Sequence, residues 1–220
     1  MSQIIRISSK INWEKKCFEQ IKSFIIDSGT MISIALSGGK TPITVYTMLA
    51  NYLRSVSFKH SLKIQFFLVD ERNVSIESSS SNSKVIREIF GEDIFFAFDP
   101  TKMLCQEYYE LIQSKLGKLP IFDLVILGCG EDGHTASLFP ETKLLSDESF
   151  GFKPNYLETG EIRYSMTYPL ILKSKQQLIL VDNNPIKHSH FRDLHLSNCY
   201  LPVHKILKSK KSTTIIHEPV

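Results

Sequence analysis

A histidine set in a glycine-rich turn is the combination in this chain best suited to chemistry. His134 lies within Gly128–Pro140, which reads GCGEDGHTASLFP and directly follows the apolar run Phe122–Leu127. Imidazole titrates near neutral pH and can act as a general base, while glycines let the backbone approach a ligand. Asp132 stands nearby as a group that can orient the ring. The pattern predicts a catalytic turn where a strand passes into a helix; the alternative is a histidine satisfied by backbone partners.

A second glycine turn, SGGKTP at Ser37–Pro42, follows the apolar run Met31–Leu36. It ends like a nucleotide-binding P-loop, but that pattern requires one more glycine at a position that Ile34 occupies. What remains is a short turn at a predicted helix N-terminus, where backbone amides and a lysine can face an anion. An ordinary tight turn is the alternative. The candidate substrate-binding or phosphate-binding residues here are Ser37, Gly38, Gly39, Lys40 and Thr41, and Thr41 is also the expected N-cap.

Two acids and an arginine follow a third strand-like run, Ile64–Val69. The guanidinium of Arg72 can bind a phosphate through two hydrogen bonds, or it can be tied structurally to Asp70 and Glu71. We take Asp70 and Arg72 as candidate binding residues. Lys187, near the start of a late helix, is a second candidate phosphate cation.

The turn around His134 also contains the dinucleotide pattern GxGxxG, but its surroundings disfavour that function. Glu131 and Asp132 stand where a pyrophosphate would approach, and Pro140 leaves little room for the following helix. No acid ends a strand about 20 residues further on to bind the ribose. Gly130 therefore remains a candidate for contact with a different ligand.

No further pattern indicates a nucleophile or a metal. The GxSxG elbow is absent. Cys129 is expected to be packed, with a reactive thiol close to His134 as the alternative. Ser137 is expected to start a helix or bind ligand through its hydroxyl, with a serine nucleophile as the alternative. His188, His190 and His195 lack the four-residue spacing of a zinc pair on a helix. We therefore expect no metal and no cofactor.

Strand-like and helix-like periodicities alternate along the chain, which predicts an α/β fold of three layers, a mostly parallel sheet with helices on both faces. In such sheets ligands bind beyond the carboxyl ends of the strands, and the three motifs each follow a predicted strand. The region 141–161 is polar and is expected to be a surface loop. The predicted strands are Ile4–Ile7, Met31–Leu36, Ile64–Val69, Phe122–Leu127, Leu178–Val181 and Thr213–Ile216; helices are expected from Asn12, from Thr41, over Asn82–Phe90, from Thr101 to Gly117, and after Pro185.

The composition is ordinary for a globular protein of one domain over residues 1–220, with 42% hydrophobic and 22% charged residues. The formal charge of +3 and the dispersed lysines predict no nucleic-acid partner. No apolar run reaches the roughly 18 residues of a membrane span, and no apolar signal region is seen. Four widely spaced cysteines without a CxxC pattern favour free thiols in the cytoplasm. Oligomeric state is left open.

Taken together, the three motifs resemble the hallmarks of the 6-phosphogluconolactonase family. These are SGGKTP, the DER triplet followed by Ser81 and Asn82, and GCGEDGHTASLFP. The resemblance extends from about Ala35 to Pro140, and more weakly beyond. Related hexosamine-phosphate deaminases share GxGxDGH but usually continue IAFNEP and carry DEY.

The resemblance implies hydrolysis of 6-phospho-D-glucono-1,5-lactone in the oxidative pentose phosphate pathway, on a Rossmann-like fold of the deaminase and ribose-phosphate isomerase type, without a metal. It implies that His134 is the general base and that Arg72 and Lys187 bind the phosphate of this small-molecule partner. Amides from Gly130 to His134 are expected to stabilise the oxyanion. Lys187 lies in NNPIK, where the family more often has a glycine-containing turn. An amino-sugar phosphate deaminase or isomerase, and a non-catalytic sugar-phosphate sensor, are the alternatives.

Overall fold

Residues 2–27, 31–55, 63–192 and 200–219 are described in the computed structural model. The strands are β1 (Gln3–Ile7), β2 (Met31–Leu36), β3 (Lys63–Leu68), β4 (Asp70–Arg72), β5 (Phe95–Phe96), β6 (Leu124–Leu127), β7 (Phe152–Tyr156), β8 (Ile162–Met166), β9 (Gln176–Val181) and β10 (Ser212–His217). The helices are α1 (Lys10–Asp27), α2 (Ile43–Ser55), α3 (Asn82–Phe90), α4 (Cys105–Leu116), α5 (Tyr168–Lys173), α6 (Pro185–Ser189) and α7 (Pro202–Leu207), with a 3₁₀ turn at Lys143–Ser146.

A parallel sheet in the order β1-β10-β9-β6-β2-β3-β5 forms the centre of the described part of the chain. From β1 to β5 the connections run toward one edge, and from β5 to β10 they run back. Because crossovers between parallel strands are right-handed, α1 to α3 lie on one face and α4 to α7 on the other. The predicted fold class is confirmed. The direction changes between β2 and β6, which is where open α/β sheets form their ligand crevice.

The core is built from strands that are apolar on both faces and from helices that are apolar on one face. Every residue of β6 is buried, as is every residue of β2 after Met31, as expected for strands covered by helices on both sides. In α1 the buried residues recur at four-residue spacing, as predicted: Trp13, Cys17, Ile21 and Ile25. The Trp13 indole donates a hydrogen bond of 3.0 Å to the Ile215 carbonyl, which fixes α1 against β10.

A small antiparallel sheet, β4-β8-β7, was not predicted. The expectation of an irregular loop over 141–161 is wrong, since this region holds the 3₁₀ turn and β7. The β7–β8 hairpin reverses near Gly160, which has a positive φ of 84°. Only four of the ten residues of these two strands are buried, and two of the four are polar. The apolar periodicity that reveals a strand in a sequence is therefore weak, and backbone pairing defines the strands.

Three predicted helix starts are also corrected. No helix starts in the turn that carries His134; Thr135 and Leu138 instead close a turn by an isolated bridge. Thr101 does not cap α4, because its hydroxyl donates to Asp99 and the helix begins four residues later. Thr41 does not cap α2, because its hydroxyl donates to Asp182. In both threonines the hydroxyl donates to a carboxylate outside the helix and is not available to cap it.

Within the described residues, no helix is both long and apolar enough to cross a membrane. That the two sheets form one domain over the whole chain stays a prediction.

Candidate active site

A cavity of about 430 Å³ opens at the carboxyl ends of β2, β6 and β9. Its wall consists of Ser37, Gly38, Gly39, Lys40, Thr41, Pro42, Tyr46, Asp70, Arg72, Asn82, Ile126, Leu127, Gly128, Cys129, Gly130, Glu131, His134, Ala136, Leu180, Asp182 and Lys187. The structure therefore brings together all the predicted site residues except Asp132. The Asp132 carboxylate lies outside the cavity wall and contacts His134, which is part of it.

The imidazole of His134 is held by a carboxylate and by an aromatic ring. Its Nδ1 lies 2.6 Å from Oδ1 of Asp132, and the same oxygen accepts a 3.1 Å hydrogen bond from the His134 amide. The Phe139 ring packs against the imidazole with centroids 4.2 Å apart. The His134 side chain is 31% exposed. Because Nδ1 is engaged, Nε2 is the nitrogen left to exchange a proton with a ligand.

The turn that carries His134 closes on itself. The Gly130 amide donates to the His134 carbonyl at 2.8 Å, and the Gly133 amide donates to the Gly130 carbonyl at 3.1 Å. A Cβ on Gly130 would lie 2.2 Å from two atoms of the imidazole, so only glycine allows the ring its position. The amides of Gly130, Gly133 and His134 each donate to an acceptor within the turn, and the role expected of the turn amides toward an oxyanion stays a prediction. Among the donors of this turn, the amides of Glu131 and Asp132 remain.

Later segments of the chain hold the same turn from outside. The Asn184 side chain donates to Glu131 at 2.8 Å, and a ring nitrogen of His190 lies 2.8 Å from the Glu131 carbonyl. Residues at the start of α7 complete the contact, since the Val203 amide donates to the Gly133 carbonyl at 3.0 Å. The position of His134 thus depends on α6 and α7 as well as on its own turn.

The turn after β2 is shaped by a tyrosine and an asparagine. The Tyr46 hydroxyl donates to the Ser37 carbonyl at 3.0 Å. A Cβ on Gly38 would lie 2.0 Å from Oδ1 of Asn82, and Gly39 has a positive φ of 85°, which glycine adopts without strain. Lys40 is exposed at the rim. The turn leads into α2, so its amides lie at a helix N-terminus.

The two neighbouring acids of β4 have different surroundings. Glu71 is fully buried, and its carboxylate accepts hydrogen bonds from the amides of Arg72, Asn82 and Ser83 and from the hydroxyl of Ser81. It stabilises the N-terminus of α3. Burial raises its pKa, although these hydrogen bonds act in the opposite direction. Glu71 therefore has a structural role.

Asp70 is also buried but belongs to the cavity wall. Its Oδ2 accepts a hydrogen bond of 2.8 Å from Ser137. Burial raises the pKa of Asp70, and the Ser137 hydrogen bond together with the charges of Arg72 and His134 opposes the rise. Ser137 is buried and committed to this contact, so the structure does not present it as a nucleophile or a ligand hydroxyl, and no helix starts there.

Arg72 and Lys187 both reach the cavity, by different routes. Arg72 donates to the Ser80 carbonyl at 2.6 Å, which draws the loop before α3 to the site. The Lys187 ammonium lies 2.9 Å and 3.1 Å from the two carboxylate oxygens of Asp182. Sequence reasoning missed Asp182, although it follows a predicted strand as the other motifs do. The place of Asp182 directly after that strand was the signal that could have identified it.

The remaining candidates for chemistry have partners of their own. Burial raises the pKa of the Cys129 thiol to about 12. His188 lies 2.9 Å from the Asp182 carbonyl, and His195 lies outside the described residues. In the described ranges, no group of three or more His, Cys, Asp or Glu side chains could hold a metal ion.

Comparisons with known proteins agree with the geometry. A family model described as glucosamine-6-phosphate isomerases/6-phosphogluconolactonase matches residues 11–215. The chain is similar to 6-phosphogluconolactonases of Chlamydia pneumoniae, with 36% identity over 171 residues covering 72% of this chain and 64% of the relative, and of Chlamydia trachomatis, with 34% identity over 154 residues covering 67% and 59%. The matches thus span less than two thirds of these relatives' length.

Solved structures give the same fold. A 6-phosphogluconolactonase from Trypanosoma cruzi superposes with a TM-score of 0.81 and 25% identity, covering 98% of this chain and 94% of that one. One from Leishmania guyanensis superposes with a TM-score of 0.85 and 23% identity, covering 100% and 97%. At 23% identity, the similarity to the Leishmania guyanensis structure shows the fold alone.

Proposed function

The chain belongs to the family of glucosamine-6-phosphate isomerases and 6-phosphogluconolactonases, and we propose that it hydrolyses 6-phospho-D-glucono-1,5-lactone to 6-phospho-D-gluconate. This reaction is the second step of the oxidative pentose phosphate pathway. The observation that carries the proposal is the pair of His134 and Asp132, 2.6 Å apart, with the imidazole in the wall of a cavity of about 430 Å³. The names of the curated relatives support the same reaction.

The pair suits a single proton transfer. Asp132 accepts a hydrogen bond from Nδ1–H and leaves Nε2 of His134 free, so Nε2 takes a proton from water while the water oxygen attacks the lactone carbonyl. The tetrahedral intermediate then breaks the bond between C1 and the ring oxygen, and the protonated His134 returns the proton to that oxygen. A lactone is an activated ester, so one positioned base is sufficient for this chemistry.

The phosphate is assigned to the other side of the cavity. The turn Ser37–Thr41 offers backbone amides at the N-terminus of α2, where an anion is favoured. Lys40, Arg72 and Lys187 supply positive charge around it. Holding the phosphate there fixes the lactone ring over His134, and this orientation accelerates the reaction without changing its chemistry.

We place this activity in the cytoplasm. The support is that Cys17, Cys105 and Cys129 are free thiols in the described part of the chain, as expected in a reducing compartment.

Stopped-flow measurement of lactone hydrolysis above the spontaneous rate tests the proposal. We expect turnover by the unsubstituted protein and a loss of about 10² to 10⁴ in kcat for His134→Ala, the usual contribution of general-base catalysis. His217→Asn is the control, because His217 packs near Trp13 and is not in the cavity wall.

Two results would contradict different parts of the proposal. No turnover by the unsubstituted protein, together with ammonia release from glucosamine 6-phosphate, would assign the chain to the deaminase branch. Turnover by His134→Ala within a few fold of normal, with the fold intact by circular dichroism, would remove His134 as the base.

A further inference from the structure

Asp182 connects two parts of the cavity wall that come from distant points in the chain. It directly follows β9, and its Oδ2 accepts a hydrogen bond of 2.9 Å from the hydroxyl of Thr41 in the turn after β2. Both carboxylate oxygens also lie within 3.1 Å of the Lys187 ammonium. One carboxylate therefore binds a lysine from α6 and a hydroxyl from the first glycine turn.

Burial makes this contact important for the lysine. The Lys187 side chain is 16% exposed, while that of Asp182 is 42% exposed. A positive charge on a side chain that is this little exposed is stabilised in its position by a nearby carboxylate or by polar acceptors. Without the carboxylate, the flexible lysine side chain would gain by turning outward to solvent.

The backbone around the pair is fixed as well. Asn184 caps α6 by accepting from the amides of Ile186 and Lys187 at 3.0 Å and 3.4 Å. The Asp182 carbonyl lies 2.9 Å from a ring nitrogen of His188. The backbone at both ends of the ion pair is thus anchored, and the contact with Asp182 sets the position of the ammonium in the wall.

We propose that Asp182 is a positioning residue, which holds the Lys187 ammonium at the cavity wall and aligns it with the first glycine turn so that a phosphate meets a preformed donor. The proposal rests on the proposed function for the identity of the substrate. An ammonium has three N–H donors; two are directed to Asp182, and the third is left for the phosphate. The carboxylate itself does not touch the substrate.

The direction in which Asp182→Asn changes the affinity for phosphate distinguishes this positioning role from simple charge repulsion. Asp182 is a negative charge close to the expected phosphate, so a purely repulsive effect would make Asp182→Asn bind anions more tightly. Positioning predicts the opposite, because a neutral amide no longer retains the ammonium. Asparagine keeps the size of the side chain and an acceptor for Thr41, so the change leaves packing intact.

The experiment measures two quantities on purified protein: the KM and kcat for the lactone, and the dissociation constant of inorganic phosphate by calorimetry. We expect Asp182→Asn to raise both the KM and the phosphate dissociation constant about tenfold, with kcat changed less than threefold, since orientation by the phosphate is weakened and the base is untouched. Asp123→Asn is the matched control, because Asp123 pairs with Lys175 at 2.6 Å just before β6, at the opposite end of the sheet.

A double substitution shows whether Asp182 acts through the lysine. In a Lys187→Met background, adding Asp182→Asn should change phosphate affinity less than twofold, because contacting residues are not additive. Tighter phosphate binding by Asp182→Asn alone, an equal loss in both backgrounds, or no phosphate binding by the unsubstituted protein would overturn the positioning role. Absence of lactone turnover with the expected phosphate results would sink the proposed function and leave the role of Asp182 standing.

Discussion

The cavity wall contains two glycine turns, and glycine has a different structural role in each. The turn Ser37–Thr41 leads into the 13-residue helix α2 and faces the cavity with backbone at a helix N-terminus. The turn Gly128–His134 leads into no helix, and three of its amides are already bonded within it. The first turn is therefore suited to bind an anion, and the second holds one side chain, that of His134, in a fixed position.

The glycines themselves show the difference. Gly38 leaves room for Asn82, whose side chain donates to the Asp70 carbonyl at 2.9 Å. Gly130 leaves room for the imidazole of His134. At these two positions glycine allows another side chain to come close, Asn82 in the first turn and His134 in the second.

The largest effect that would test this distinction is expected from Gly130→Ala. The added methyl group would lie 2.2 Å from the imidazole and must push the ring away, and a displacement of about 1 Å can reduce a rate about 10²-fold. We expect kcat to fall about 10²-fold with KM nearly unchanged.

Gly128→Ala is the control for that substitution, since nothing lies within 4 Å of its added Cβ. It should change kcat less than threefold. Equal losses in the two variants would show that the turn, and not the ring contact, limits the rate.

An intermediate effect is expected from Gly38→Ala, measured by the same steady-state kinetics. Its Cβ would lie 2.0 Å from Asn82, so the asparagine must leave its place against the first turn. Because this side of the cavity is assigned to phosphate, we expect KM to rise about tenfold and kcat to change less than threefold. Combining it with Asn82→Ala should restore part of the affinity by removing the clash. A fall in kcat with unchanged KM would contradict the assignment of phosphate binding to the first turn and of proton transfer to the second.

The smallest effect is expected from Cys129→Ala, which tests whether the second turn carries a single reactive group. The thiol is buried, and burial raises its pKa from 9.0 to about 12. Since thiolate forms only as the pH approaches that value, the thiol stays protonated at pH 8 and is a poor nucleophile. We expect kcat within twofold of normal.

Alkylation checks the same point independently. Iodoacetamide at pH 8 should label Cys129 at least about tenfold more slowly in the folded protein than in urea. The extent of labelling is measured by peptide mass spectrometry. Rapid labelling that abolishes turnover would make this thiol a candidate catalytic group.

The sequence predicted the central elements well because their signals are local. The predicted bounds Met31–Leu36 and Asn82–Phe90 coincide with β2 and α3. Both segments have a clear apolar pattern, and burial of that pattern stabilises the elements in the structure. The partly exposed hairpin of β7 and β8 lacked such a pattern, so its strands were missed.

Most of the residues that line the candidate site were likewise recognisable from the motifs in the sequence. His134, Asp132 and their glycines lie within a few residues of one another, so their mutual geometry follows from one turn. The three motifs each follow a strand, and the parallel sheet brings them to one edge because its strands share a direction.

Which polar groups face one another across that edge could be seen in the tertiary structure but not in the sequence. Asp182, Thr41 and Lys187 meet through hydrogen bonds that join β9, α6 and the turn after β2. Glu71 and Asp70 are neighbours in sequence, yet one caps α3 and the other lines the cavity. Such roles depend on contacts between segments far apart in the chain, and residue type and spacing do not encode which partner a carboxylate meets.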